Sequence, residues 1–109
     1  MLIGEMLQLS PLRVVTARPD NTILEAAKRM SKFGVGIVVV MGEDDEILGV
    51  LSERDIVIGI AAGDGALQRS LVGDWMTASV VTISPRDTIA DAARDMNVHG
   101  IRHLIAVED

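Results

Sequence analysis

Apolar residues recur at helical spacing twice along the chain. Ile23, Ala26, Ala27, Met30 and Phe33 form one stripe, and Ile89, Ala92, Ala93 and Met96 form a second. Both stripes are expected to face a core. Each follows a threonine with an acid three residues on, Thr22 with Glu25 and Thr88 with Asp91. That is the spacing of a capping box, in which hydroxyl and carboxylate satisfy free N–H groups at a helix start. Gly34 and Gly100 stand where a left-handed residue would end each helix.

Between the stripes the period changes. Ile37-Val-Val-Val-Met41 is short, β-branched and continuously apolar, the pattern of a strand buried on both faces. Gly42-Glu-Asp-Asp-Glu46 reads as a polar turn, and Ile47-Leu-Gly-Val-Leu51 returns as a second strand, giving a hairpin. Ser52 and Asp55 open a further helix from Glu53 to about Ala62, stopped by Gly63-Asp-Gly65. Leu71 to Met76 bridges towards the second stripe, with Trp75 expected to pack at the junction.

The chain repeats itself. Val14-Val-Thr-Ala-Arg-Pro19 parallels Val80-Val-Thr-Ile-Ser-Pro85, and Thr22 to Met30 parallels Thr88 to Met96. Without gaps, about ten of thirty positions are identical, beyond what shared composition gives. Each copy is expected to run strand–helix–strand–strand–helix, in an α/β (α+β) fold. The sequence divides into a first repeat over 1–70, with the N-terminal segment, and a second over 71–109. His103 to Val107 is the counterpart of Ile37–Met41, and no counterpart of Ile47–Ala62 comes after it.

Composition narrows the function classes. The 109 residues include one Phe, one Trp and no Tyr, so the core is aliphatic and stacking platforms for single-stranded nucleic acid are lacking. A formal charge of −6 argues against nucleic-acid or membrane-surface binding, which needs a positive field. Without cysteine there are no disulfides or thiolate metal sites. The first ten residues lack a basic segment before an apolar one, and no apolar run approaches the ~20 residues of a membrane span. The expected compartment is the cytoplasm.

Several strings together resemble the cystathionine-β-synthase-type (CBS) domain family. They are Val-Val-Thr before a capped helix, Gly49-Val-Leu-Ser-Glu-Arg-Asp55, Asp74-Trp-Met-Thr77, and Gly100-Ile-Arg-His-Leu104. They come in the family's order and cover essentially the whole chain. The resemblance implies a tandem pair of CBS repeats, the second incomplete, binding an adenosine-containing ligand between the repeats and forming a homodimer. The implied ligand is an adenine nucleotide (AMP, ADP or ATP), with S-adenosylmethionine and NAD in the same class and no metal required. Two departures stand out. Ile105 occupies a position where the family often has proline, and the second copy lacks the Gly-x-x-Ser/Thr-x-x-Asp segment, so one competent site per chain is expected.

The candidate site centres on Ser52-Glu-Arg-Asp55. A helix start offers free N–H groups and partial positive charge, Ser52 adds a hydroxyl, and Arg54 a charge-assisted phosphate contact. The resemblance gives Asp55 the ribose hydroxyls, Val80 and Val81 an apolar bed for the adenine, and Ile101, Arg102 and His103 the phosphate side. Ser-x-x-Asp is equally a plain helix cap, worth ~1 kcal/mol, and a cap can share its donors with a ligand. Arg102 and His103 equally suit a solvated turn entering a strand. The acids of residues 43–46 lack calcium-loop spacing and read as a solvated hairpin tip.

Two functions remain open: a regulatory nucleotide sensor acting on an unidentified protein, or a structural dimerisation module that binds nothing. No nucleophile–histidine–acid set, phosphate loop or dinucleotide glycine fingerprint supports an enzyme.

Overall fold

A computed structural model describes residues 1–9, 14–63, 65–101 and 103–108. The elements are α1 (Ile3–Leu9), β1 (Thr16–Ala17), α2 (Ile23–Phe33), β2 (Ile37–Met41), β3 (Ile47–Ser52), α3 (Glu53–Ala61), α4 (Val72–Trp75), β4 (Thr82–Ile83), α5 (Ile89–His99) and β5 (Ile105–Ala106). Contacts divide the chain into two compact units: Val14–Ser79, and Met1–Arg13 together with Val80–Asp109.

In the Val14–Ser79 unit the strands order β1-β2-β3. β1 runs parallel to β2, pairing Thr16 with Val39, and β3 returns antiparallel, pairing Val38 with Leu51. Helix α2 makes the crossover between the parallel pair, as parallel neighbours require. Both of its ends match the expected chemistry. The Thr22 hydroxyl accepts from the Glu25 N–H, the Glu25 carboxylate accepts from the Thr22 N–H, and Gly34 closes the helix at φ 65°. The core of this unit gathers Ala17, Ile23, Ala26, Met30, Val38, Val40, Leu51 and Val72, with Trp75 half-buried against it.

The other unit repeats the plan on a smaller scale. β4 pairs in parallel with β5, with α5 between them in sequence, capped by the Thr88–Asp91 box and closed by Gly100 at φ 64°. Helix α1, which sequence order groups with the first repeat, packs in this unit. Ile3 N–H donates to the Asp87 carbonyl (2.8 Å) and Gly4 N–H to the Pro85 carbonyl (2.7 Å). Ile3 joins Ile83 and Ala92 in the core, with Met6, Leu7 and Leu104 around it. The physical reason is that so small a core needs a further apolar face to cover it.

Two expectations are corrected. The helical stripes are narrower than their spacing suggested. Ile23, Ala26, Met30 and Ala92 are buried, whereas Phe33, Ile89 and Ala93 are exposed. Phe33 lies in the last turn, where the helix has run past its core and the Lys32 ammonium sits 5.4 Å from the ring centroid. The strand expected over His103–Val107 is limited to Ile105–Ala106, the two residues in register with β4, with the Val107 N–H adding one bond to the Ile83 carbonyl. Among the described residues, no helix is long and apolar enough to cross a membrane.

Candidate functional site

The start of α3 gathers the sequence-predicted residues of the Val14–Ser79 unit. β3 runs directly into the helix, with Ser52 as the extended N-cap residue (φ −112°, ψ 166°). The Asp55 N–H donates to the Ser52 hydroxyl oxygen at 3.3 Å. In return Asp55 Oδ2 accepts from the Ser52 N–H (2.8 Å) and from its hydroxyl (3.0 Å). The capping reading of Ser-x-x-Asp therefore holds. Glu53 N–H leaves the helix to meet the Gly36 carbonyl at 3.0 Å, tying the start of α3 to the turn before β2. Arg54 is exposed, and Ser52 and Asp55 are half-buried.

Sequence reasoning missed one residue of this cluster. The Thr77 hydroxyl donates to Asp55 Oδ1 at 3.0 Å. Thr77 arrives there because its backbone docks on the edge of β3 away from β2. Its N–H donates to the Val50 carbonyl (2.8 Å), and the Val50 N–H donates to the Thr77 carbonyl (3.0 Å). Gly49 makes room for this, since a β-carbon on it would stand 2.5 Å from the Thr77 carbonyl oxygen. A glycine inside an otherwise apolar strand was the available signal, because such a residue marks close backbone approach. Nothing in the sequence said that the approaching segment would be Met76–Thr77.

The remaining candidates lie in the other unit. Val80 and Val81 are half-buried, and the Val81 carbonyl accepts from the Ile105 N–H (3.3 Å). Ile101 is half-buried just past α5, its N–H donating to the Met96 carbonyl (3.0 Å), and His103 is exposed. Arg102 lies outside the described residues.

A family model for the CBS domain matches residues 8–62 and 72–109. The chain belongs to the CBS-domain family. A CBS-domain protein from Agrobacterium tumefaciens superposes with a TM-score of 0.94 at 30% identity, over 99% of this chain and 81% of that one. A CBS-domain protein from Pyrobaculum aerophilum, solved in complex with AMP, superposes with a TM-score of 0.86 at 27% identity, over 100% of this chain and 80% of that one. An uncharacterized protein of Methanopyrus kandleri is 33% identical over 96 residues, 88% of this chain and 49% of its own length. The chain spans about half the length of three curated relatives it matches, 49%, 57% and 46%. Within the CBS frame, the two matched segments are the two copies found by internal repetition. Ser52 and Asp55 fall in the first, and Thr77 in the second.

With the Glu53 and Asp55 N–H groups already bonded, the start of α3 presents a carboxylate held in one orientation at the positive end of a helix. Such a carboxylate accepts from a sugar hydroxyl, and the partial positive charge of the helix start favours an anionic oxygen.

Proposed function

We propose that this CBS-domain chain is a regulatory module that binds an adenosine-containing ligand at the start of α3, without catalysing a reaction. The Ser52–Asp55–Thr77 cluster carries the reading, because it orients a carboxylate for a sugar hydroxyl beside a helix N-terminus suited to an anion. The AMP complex of the Pyrobaculum aerophilum relative supports the ligand class. Adenine nucleotides (AMP, ADP or ATP) are the proposed ligands, with S-adenosylmethionine and NAD as alternatives. Val80 and Val81 are assigned to the base, and Arg54, Ile101, Arg102 and His103 to the phosphates. The ligand would act by binding one arrangement of the module better than another, shifting a population that a regulated protein reads.

Thermal unfolding with millimolar AMP, ADP, ATP, NAD and S-adenosylmethionine tests the reading. A ligand at a hundredfold excess over Kd stabilises the folded state by about 2.7 kcal/mol. At least one is expected to raise the midpoint in the parent chain and to lose that effect in Asp55→Ala. No shift with any of the five refutes the proposal.

A second reading, a dimerisation module whose site stays empty, is favoured by one observation. Helix α3 turns Val57, Ile58 and Ile60 outward, with 63%, 53% and 66% of their surface exposed. Val57 and Ile60, three residues apart, share one face of the helix, and exposed aliphatic pairs of this kind suit an association surface. The proposed sensor is likewise read as a homodimer through this face. Replacing Val57 and Ile60 by glutamate is expected to yield monomers in light scattering. In the purely structural case, Asp55→Ala costs only a cap's worth of stability and no ligand response exists to lose.

A further inference from the structure

We propose that α1 is a releasable strap: docked, it holds the smaller unit folded; released, it lets that unit open while the Val14–Ser79 unit stays intact. Only the consequence for a ligand rests on the adenosine-ligand reading, because the smaller unit carries Val80, Val81, Ile101 and His103.

The chain writes this strap twice. Leu2-Ile-Gly-Glu-Met6 parallels Leu71-Val-Gly-Asp-Trp75, and each segment docks in the same way on the turn before a capped helix. Ile3 and Gly4 donate to the Asp87 and Pro85 carbonyls (2.8 and 2.7 Å), and the Ile89 N–H donates back to the Met1 carbonyl (3.0 Å). Val72 and Gly73 likewise donate to the Asn21 and Pro19 carbonyls (2.8 and 2.9 Å), and the Ile23 N–H to the Ser70 carbonyl (2.9 Å). The glycines permit the approach. A β-carbon on Gly4 would stand 3.2 Å from the Pro85 carbonyl oxygen, and one on Gly73 3.2 Å from that of Pro19. Each strap also buries an aliphatic side chain, Ile3 in the smaller core and Val72 in the larger.

The two straps differ in how firmly they are held. The α4 strap runs on into Met76, which packs on the larger core, and into Thr77, whose two backbone bonds to Val50 anchor it again. Among the described residues α1 has no second backbone anchor of that kind, and it ends at Leu9, which is 74% exposed. Residues 14–79 separate α1 from the remainder of its own unit, so a released strap returns only by closing a long loop. Its departure is costly to the smaller unit. Among the described residues that core has Ile3, Ile83 and Ala92 as its buried members, so losing α1 removes one and bares the other two. The larger core shares none of them. Units with few buried apolar contacts open sub-globally, and here the opening is tied to one helix.

The experiment follows amide hydrogen exchange by NMR in the full chain, comparing the parent with Ile3→Ala and Gly4→Val. In Ile3→Ala, exchange at Ala92, Ile105 and Val107 is expected to quicken by about thirtyfold or more, the cost of truncating a buried isoleucine. Gly4→Val, which pushes the strap off Pro85, is expected to act in the same direction. Val39 and Val50 in the larger unit should keep their parent rates, and Trp75 fluorescence its unfolding midpoint. Parent-like rates at Ile105 and Val107 in both variants would make α1 a mere appendage and overturn the proposal. Equal acceleration at Val39 and Val50 would overturn it as well, since the chain would then open as one body. For the ligand, AMP at a hundredfold excess over Kd is expected to slow exchange at Ile105 and Val107 in the parent by about a hundredfold, because it binds the closed form alone. AMP that binds in calorimetry yet leaves those rates unchanged overturns the switch and leaves adenosine binding intact. A parent that binds no AMP but shows the expected exchange pattern upholds the strap and counts against the adenosine reading.

Discussion

Replacing Gly49 with alanine places a methyl carbon 2.5 Å from the Thr77 carbonyl oxygen and 3.2 Å from the Met76 sulfur. The nearest obstacle is backbone, so no side-chain rotation relieves the clash. Gly49 sits where the β2–β3 register shifts, but its backbone is not left-handed, so the conformation itself does not exclude alanine. The Met76–Thr77 segment must then move off β3, losing the hydrogen bonds of 2.8 and 3.0 Å between Thr77 and Val50. Two such bonds contribute about 1 kcal/mol each. Against this, removing a strand glycine from the unfolded ensemble stabilises by roughly 0.5–1 kcal/mol. The close approach wins, and a net loss of about 1–1.5 kcal/mol is expected. At about 4–8 °C per kcal/mol for domains near this size, the unfolding midpoint followed by circular dichroism should fall by roughly 4–12 °C. Amide exchange at Val50 and Thr77 should accelerate in the same variant. A Gly49→Ala protein as stable as its parent, with both amides equally slow, would refute the docking of this segment on β3.

Leu51 is fully buried at the centre of the larger core, so Leu51→Ala is expected to cost about 2–5 kcal/mol in urea unfolding; a loss below 1 kcal/mol would contradict its placement. Gly34 has φ 65° and open space around its missing β-carbon, so Gly34→Ala should cost about 1 kcal/mol from backbone strain alone, and an unchanged midpoint would contradict the left-handed cap. The Thr22 N–H and hydroxyl hold the Glu25 carboxyl below its ordinary range, and the Thr88 N–H and hydroxyl do the same for Asp91. Their folded values lie below their unfolded ones, so their stabilisation is present above the ordinary carboxylate range and fades as the pH falls through the folded values. The Glu25→Gln, Asp91→Asn double variant should accordingly show a flatter acid limb in its stability–pH profile, and an identical limb would count against both boxes.

Much of this was legible in the chain because it is local chemistry. Three capping boxes, at Thr22, Ser52 and Thr88, are written in residues three apart, and the structure forms all three. The left-handed closures at Gly34 and Gly100 depend on one residue each, and the hairpin β2–β3 on an apolar run, a polar turn and a second run. Internal repetition exposes the two copies in the residues themselves. The candidate site was legible in the same measure: Ser52 and Asp55 share a helix turn, so their mutual bonds follow from spacing.

Tertiary structure decided what spacing cannot reach. Periodicity says which side of a helix is apolar but not where the core stops, and so Phe33 and Ile89 end up exposed while Ile23 and Ala92 are covered. Helix α1 precedes the first copy in sequence yet packs with the second, because Ile3 finds its apolar partners at Ile83 and Ala92. Thr77 stands 22 residues from Asp55, a separation at which no local rule operates. Their meeting depends on which segment docks at the edge of β3, and that choice is made by backbone pairing and by the bare face of Gly49. Caps and turns are set by neighbours along the chain; the hydroxyl that orients Asp55 is set by a neighbour across it.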